Sequence, residues 1–487
     1  MTAPLMTETL YTAARLGDRL VDIRVAGGMI RGIAASIAAP DAEVVDLDGR
    51  WVVPGLWDEH VHVGQWALHS GRLDLSGARS AAEAAHAVRA ALDAGADAAD
   101  SGADAGAPLV GVGFRDGLWP DAPHRALLDE AAGDRPVVLL SADLHSAWLD
   151  SAALAVHGHG SHPTGLLRED DAFRVEQEVN ALDPARIDRL VRAAALAAAA
   201  RGVVGVVDLE MAWNLDAWRR RIGAGLDALR IEFGLYREHL DEAIGLGLRT
   251  GLRLDELLTV GRLKVLIDGS LGTRTAWCEQ PFPDGSPGLL TVPAGELESL
   301  LATARDAGIE ASVHAIGDRA VAVALDAFAA TGARGRIEHA QLVRETDIPR
   351  FAALGVTASV QPEHALDDRD LADRHWPGRG GRVIPVRALL DAGARVVFGS
   401  DAPVAPLDPW AAMAAAVTRA RDDRESWHPE QTVTPAEALA ASTRGTIAVG
   451  QLADLVALDA DPREARALRG MPVALTLLAG RPTHSAL

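Results

Sequence analysis

The chain reads as an α/β protein: a (β/α)8 TIM barrel with a long insertion after its first strand, plus a small β-sandwich built from both termini. Three observations predict this. Apolar β-branched runs alternate with Ala-rich helical stretches through the middle of the chain, the pattern of a parallel sheet with crossover helices. Eight such runs can be counted, the number that closes a barrel. The two ends differ from the middle, with short alternating segments between Gly and Asp turns, LVDIRVAGG and AEVVDLDGR at one end, ADLVALDAD and PVALTLLAGRPTH at the other.

The eight runs fall at 52–62, 203–209, 229–235, 263–268, Ala311–Ala315, 336–339, 356–361 and 395–400. The stretch from about 65 to 200 is too long for one crossover and holds two further strand candidates, Leu109–Phe114 and 136–142. We read it as an inserted subdomain. Its Ala/Asp/Gly-rich segment 93–107 is low-complexity and carries no chemistry. Neither end is long enough to bury a core alone, so the two are expected to pair. The expected domains are 1–57, the first part of the sandwich, 58–445, the barrel with its insertion, and 446–487, the rest of the sandwich.

Composition excludes several classes of function. The 487 residues carry 68 acidic and 47 basic side chains, a formal charge of −21, which argues against sequence-independent nucleic-acid binding. One cysteine, Cys278, rules out an intramolecular disulfide and fits a reducing cytoplasm. The first residues lack a basic region followed by an apolar one, so no signal peptide is expected. The Ala-rich run 193–200 leads into Arg201, Gly202 and a Val-rich stretch, too short and interrupted to span a membrane.

Lys264 is the only lysine; every other position in the Lys+Arg count is arginine. Arginine stays protonated at any biological pH, whereas a buried lysine can shed its charge. The neutral amine can attack CO2, and the carbamate formed is a carboxylate-like ligand for two metal ions. Its company makes this more than chance. His60 and His62 form an H-x-H pair at the end of the first strand, and strand alternation puts both imidazoles on one face. His314 ends the fifth strand, His339 the sixth, and Asp401 follows the eighth. Any one of them can be a core or capping residue. Together they place six metal-competent side chains near the barrel face where active sites form.

This constellation resembles the amidohydrolase superfamily, more narrowly the YtcJ-like branch, amidohydrolase family 3, which includes N-substituted formamide deformylase. The resemblance rests on VVPGLWDEHVH (52–62), LKVLIDGSLGTRTA (263–276), VHAIGDRA (313–320), RIEHAQ (336–341), ASVQPEH (358–364), GSDAPV (399–404) and GQLADLVALDAD (450–461). It spans nearly the whole chain. The one departure noted is Glu59 before the first metal histidine, where relatives carry a small residue; it is expected to shape the pocket rim.

The resemblance implies two divalent metal ions, zinc foremost with manganese or iron as alternatives. His60, His62 and Asp401 would bind the more buried ion, His314 and His339 the other, and carbamylated Lys264 would bridge them, about 3.5–4 Å apart. A bridging water would have its pKa lowered from about 15.7 towards 7 and attack a carbonyl carbon, with Asp401 as general base and then acid. The implied reaction is hydrolysis of a non-peptide C–N bond, an amide, N-acyl or N-formyl group. The partner is a small-molecule substrate, with neither nucleic acid nor membrane, and relatives suggest a homodimer.

Substrate contacts are less legible. Trp66, Trp213, Trp277, Trp376 and Trp410 follow barrel strands, which suggests an aromatic-lined pocket, although each ring can simply pack a helix onto the barrel. Arg274 can anchor a polar or carboxylate group, Gln361 and His364 can contact substrate, and His145 can reach in from the insertion. HGHGSH (157–162) reads as a loop despite its histidines. Cys278 has no identifiable base and reads as a bystander. Alternatives are a mononuclear deaminase on the same barrel, a lactonase or esterase, and, from another class, a catalytically idle metal-binding protein.

Overall fold

The eight apolar runs form eight parallel strands in a computed structural model that describes residues 8–70, 72–94, 108–142, 146–181 and 183–487. We number them β1 (Leu56–Val61), β2 (Val203–Asp208), β3 (Arg230–Tyr236), β4 (Leu258–Leu266), β5 (Ala311–Ala315), β6 (Gly335–His339), β7 (Thr357–Val360) and β8 (Val396–Phe398). Each pairs in parallel with the next, so spatial order follows chain order. Strands covered on both faces must be apolar throughout. β2 is the plain case, VVGVVD with every residue buried.

The edges of this sheet meet. Val61 forms a parallel bridge with Ala402, the Asp401 amide donates to the His60 carbonyl at 2.7 Å, and the His62 amide donates to the Ala402 carbonyl at 2.9 Å. Asp58 reinforces the seam by accepting from the Ser400 amide at 2.9 Å and the His60 amide at 3.1 Å. A Cβ on Gly399 would lie 2.6 Å from the His60 nitrogen, so only glycine lets the last strand come this close.

The first strand differs from its sequence reading. The run 52–62 is two strands, Trp51–Pro54 and β1, divided at Gly55. Trp51–Pro54 pairs antiparallel with Leu455–Leu458, not with the barrel. The continuous apolar run hides the break. A Cβ at Gly55 would fall 2.5 Å from Val204 Cγ2, so the chain turns where no side chain obstructs the start of β2.

The chain divides into two compact units, Met1–Val63 with Arg192–Leu487, and Gly64–Val191. The first contains the barrel and an eight-stranded sheet drawn from both ends of the chain. One core joins those ends: Ile23, Ile30 and Val52 lie in the same buried cluster as Leu455, Leu475 and Leu477. The second contains a five-stranded sheet with separate apolar clusters, one around Phe114, Leu128 and Trp148, the other around Val138, Leu140 and Leu154. Among the described residues, no helix is long and apolar enough to cross a membrane. His145 and residues 95–107 lie outside the described residues.

Candidate metal centre

The barrel delivers its polar side chains to one end. His60 lies near the end of β1, His62 just beyond it, Lys264 in the last turn of the β4 ladder, and His314 and His339 at the ends of β5 and β6. Asp401 follows β8. His339 and Asp401 both take positive φ, 69° and 58°, a conformation that non-glycine residues hold only where the surrounding structure enforces it. For Asp401 the enforcing contact is the hydrogen bond its amide donates to the His60 carbonyl across the barrel seam.

These residues converge. Asp401 Oδ1 lies 3.3 Å from His60 Nε2 and 3.2 Å from His62 Nε2. Lys264 Nζ is 3.3 Å from the same His60 Nε2. The His314 and His339 rings meet edge to face with centroids 4.5 Å apart, and His339 is 5.0 Å from His60. Among the described residues, two groups have ligand-capable atoms mutually within 4.8 Å: His60, His62 and Asp401, and His339, His364 and Asp401.

The electrostatics follow from burial. Lys264 is 2% exposed, and burial pulls its amine down to about 8 against the attraction of Glu338 and Asp401. Burial and the Lys264 charge bring His60 down to about 4 and His314 to about 3; burial and His314 hold His339 well below its ordinary value. These imidazoles are therefore neutral at pH 7, the state that ligates a metal. Burial alone would raise the Asp401 carboxyl, but His60, His62 and His339 outweigh it and hold the group ionised.

A second layer, which sequence reasoning missed, fixes these side chains. Glu338 Oε2 accepts from His60 Nδ1 at 2.8 Å. Glu338 in turn is bound by Arg336 and by the Ser312 hydroxyl. Asp268 accepts amides from Trp277, Ile316 and Gly317 at 2.8–3.0 Å and lies 3.5 Å from His314 Nε2. The one available signal was a charged residue inside an apolar strand, as in RIEHAQ. Glu59 is not at a rim. It is buried, held by Arg444 through two 2.6 Å bonds and by Arg336 at 3.0 Å. The chain of charges continues from Arg444 to Glu232 at 2.7 Å, from Glu232 to Arg262 at 2.6 Å and from Arg262 to Glu310 at 3.1 Å.

The residues read as substrate contacts scatter. Gln361 is buried with its Nε2 3.3 Å from His60 Nδ1, and His364 is buried with its ring stacked on His339. Arg274 is exposed and pairs with Asp284 at 2.6 Å. Trp277 is half-buried under the Arg319 guanidinium, and Trp213 stands beside His239. Trp376 and Trp410 are fully buried, Trp410 donating to the Arg201 carbonyl at 2.9 Å. Trp66 lies in the helix Val63–His69. The HGHGSH segment is a loop in which His157 pairs with Glu178 and His162 accepts from the Gly165 amide. Burial pushes the Cys278 thiol up to about 12, far from a nucleophile.

Known proteins share this sequence pattern and fold. The sequence pattern of the amidohydrolase family matches residues 43–484. The chain is 29% identical to LONG AFTER FAR-RED 3 of Arabidopsis thaliana, over 85% of this chain and 79% of that protein. It is 26% identical to YtcJ of Bacillus subtilis (strain 168), named as an amidohydrolase, over 93% of each. It is 27% identical to N-substituted formamide deformylase of Arthrobacter pascens, over 90% of each. The crystal structure of a metal-dependent hydrolase from Pyrococcus horikoshii OT3 superposes with a TM-score of 0.78 at 25% identity, covering 94% of this chain and 98% of that one. With a match that runs from one terminal sheet segment to the other and a histidine-rich centre at the strand ends, the chain belongs to the amidohydrolase family of hydrolases.

Proposed function

We propose that the chain is a binuclear metal-dependent hydrolase that cleaves a non-peptide C–N bond, an amide, N-acyl or N-formyl group. The observation that carries this reading is the place of the single lysine: Lys264 Nζ stands 3.3 Å from His60 Nε2, beside an imidazole whose burial keeps it neutral. An amine held near pKa 8 is about one-tenth neutral at pH 7, enough to take up CO2. The N-substituted formamide deformylase relative supports the N-acyl and N-formyl class.

The residues fit divalent ions. His62 Nδ1, His339 Nδ1 and His364 Nε2 are buried without a hydrogen-bond partner, and a nitrogen and oxygen donor set of this kind suits zinc and its neighbours. His60, His62 and Asp401 would hold one ion, His314 and His339 the other, with the Lys264 carbamate between them. Bound there, such ions polarise a carbonyl oxygen and lower the pKa of water from about 15.7 towards 7. Glu338 fixes His60 with its proton on Nδ1, leaving Nε2 free as a ligand. Asp401, ionised and beside His60 and His62, accepts a proton at its carboxylate and returns it to the leaving nitrogen. In the same reading, residues 64–191 are an insertion after β1 and the sheet from both termini is a small sandwich beside the barrel.

Elemental mass spectrometry on protein purified without chelators, in bicarbonate buffer, tests the reading together with a screen of N-acyl and N-formyl compounds. Close to two ions per chain with turnover of one such class is expected. One ion per chain, unchanged by added metal and bicarbonate, would overturn the binuclear assignment.

A further inference from the structure

We propose that the barrel carries a second ligand site, a cavity at the N-terminal ends of its strands that takes a small oxyanion of the phosphate or dicarboxylate class. It lies at the opposite end of the strands from the proposed metal centre and does not depend on it.

The cavity measures about 290 Å³, and its lining includes Arg262, Glu310, Arg334, Arg395 and Thr357. Strand register brings these charges together. Glu310, Arg334 and Arg395 each stand just ahead of a strand, β5, β6 and β8. Each of their carbonyls accepts an amide from the neighbouring strand, from Leu263, Ala311 and Ala358, all at 2.9 Å. Thr357 opens β7, between β6 and β8. Three guanidinium groups thus face one carboxylate in the lining, in a chain whose formal charge is −21.

Two of the three are not used by the fold. Arg262 is committed, to Glu232 at 2.6 Å and to Glu310 at 3.1 Å. The Arg334 side chain is 87% exposed and reaches Glu310 only at 3.6 Å, past hydrogen-bond length. Arg395 is exposed, and among the described residues its side chain makes no hydrogen bond or ion pair. The ordinary task of a cation at this end of a barrel is to cap helix C-termini. Backbone amides already do that here. After the helix Ile348–Leu354 the Val356 amide donates to the Phe351 carbonyl at 2.9 Å. After the helix Val386–Asp391 the Ala394 amide donates to the Leu389 carbonyl at 3.0 Å. Like charges gathered without a counterion repel one another, and a bound anion relieves that repulsion.

The ligand class follows from the donors. A guanidinium offers parallel N–H groups that match two oxygens of a carboxylate or phosphate, and the Thr357 hydroxyl adds one more donor. Arg262 and Glu310 are also the outer end of the chain of charges that begins at Glu59, which fixes one wall of the cavity before a ligand arrives. The volume lies at the lower limit for small-molecule pockets, about 300 Å³, and so favours a small anion.

The test is isothermal titration calorimetry on the full chain as purified, in dilute buffer, with inorganic phosphate and with succinate in separate titrations. Wild type is compared with Arg334→Gln, Arg395→Gln and Glu310→Gln, with circular dichroism to check the fold. Saturable binding of at least one anion is expected, about tenfold weaker in each arginine variant and weakened by sodium chloride. Binding of phosphate alone assigns the phosphoryl class, and binding of succinate alone the dicarboxylate class. Glu310→Gln removes the carboxylate from the lining and should bind the same anion more tightly, an effect that a damaged fold would not produce. Equal affinity in wild type and both arginine variants would place the anion elsewhere, the metal centre included, and overturn the proposal. Weaker binding in Glu310→Gln, or no saturable heat with either anion, would overturn it as well.

Discussion

Glu338 and His60 are joined across the barrel by a 2.8 Å hydrogen bond between two fully buried side chains. Arg336 and the Lys264 amine keep the glutamate ionised despite its burial, so the carboxylate can only accept and the imidazole Nδ1 must donate. The proton of His60 is thereby committed to one nitrogen before any ligand arrives.

Removing that commitment should loosen the metal. Glu338→Gln presents an amide that can offer either a donor or an acceptor to Nδ1, so His60 loses its fixed tautomer. We expect metal affinity to fall about 10–100-fold, measured by competition with a chromophoric chelator. Unchanged affinity would assign Glu338 to folding alone.

Lys264→Arg tests the carbamate. A guanidinium cannot lose its proton or add CO2. The variant is expected to lose the second metal ion and nearly all hydrolysis, read by metal content and by rate on a working substrate. Retention of both would dismiss the bridge.

Glu232 gives a pH dependence. Burial alone would raise its pKa, but Arg444 and Arg262 overcome this and lower it from 4.5 to about 2. Because the folded value lies below the unfolded one, the stabilisation is fully present above pH 4.5. It is lost as pH falls from there towards 2, and amounts to roughly 3 kcal/mol. Glu232→Gln should therefore be less stable than wild type at pH 7, and the gap should narrow below pH 4.5 in acid-unfolding curves followed by circular dichroism. A gap constant with pH would contradict the assignment.

Gly399→Ala tests the seam. The added carbon meets backbone, not a flexible side chain, so the strand must shift. A cost of about 1–3 kcal/mol is expected, together with weakened metal retention, since Asp401 moves with the strand. Differential scanning calorimetry and metal content report the two effects separately.

Much of this was legible in the sequence. Parallel strands buried on both faces announce themselves as apolar runs, and Ala311–Ala315 matched to the residue. His60, His62, His314, His339 and Asp401 stood out because each sits at or just past the end of an apolar run, and Lys264 because it is the only lysine. What stayed hidden depends on pairing across the chain. Glu338 is 278 residues from His60, and Glu59 is 385 from Arg444, so no local pattern links them. Glu59 looked like a rim residue because a charge is ordinarily exposed; its two arginine partners reverse that expectation. The break at Gly55 was invisible because both halves of the run are apolar, and only the approach of Val204 reveals why the chain turns there.

The seam between His60 and Asp401 also sets a schedule for biosynthesis. The amide of residue 401 must leave the ribosome before the carbonyl of residue 60 finds its partner. Until then four imidazoles and a lysine wait on a barrel with an open side. Such a nascent intermediate exposes an unpaired strand edge, the kind of surface on which chaperones act. Loading of the proposed metal centre would then be a late event, and a chain stalled short of its last barrel strand would be recognisable by the ions it fails to hold.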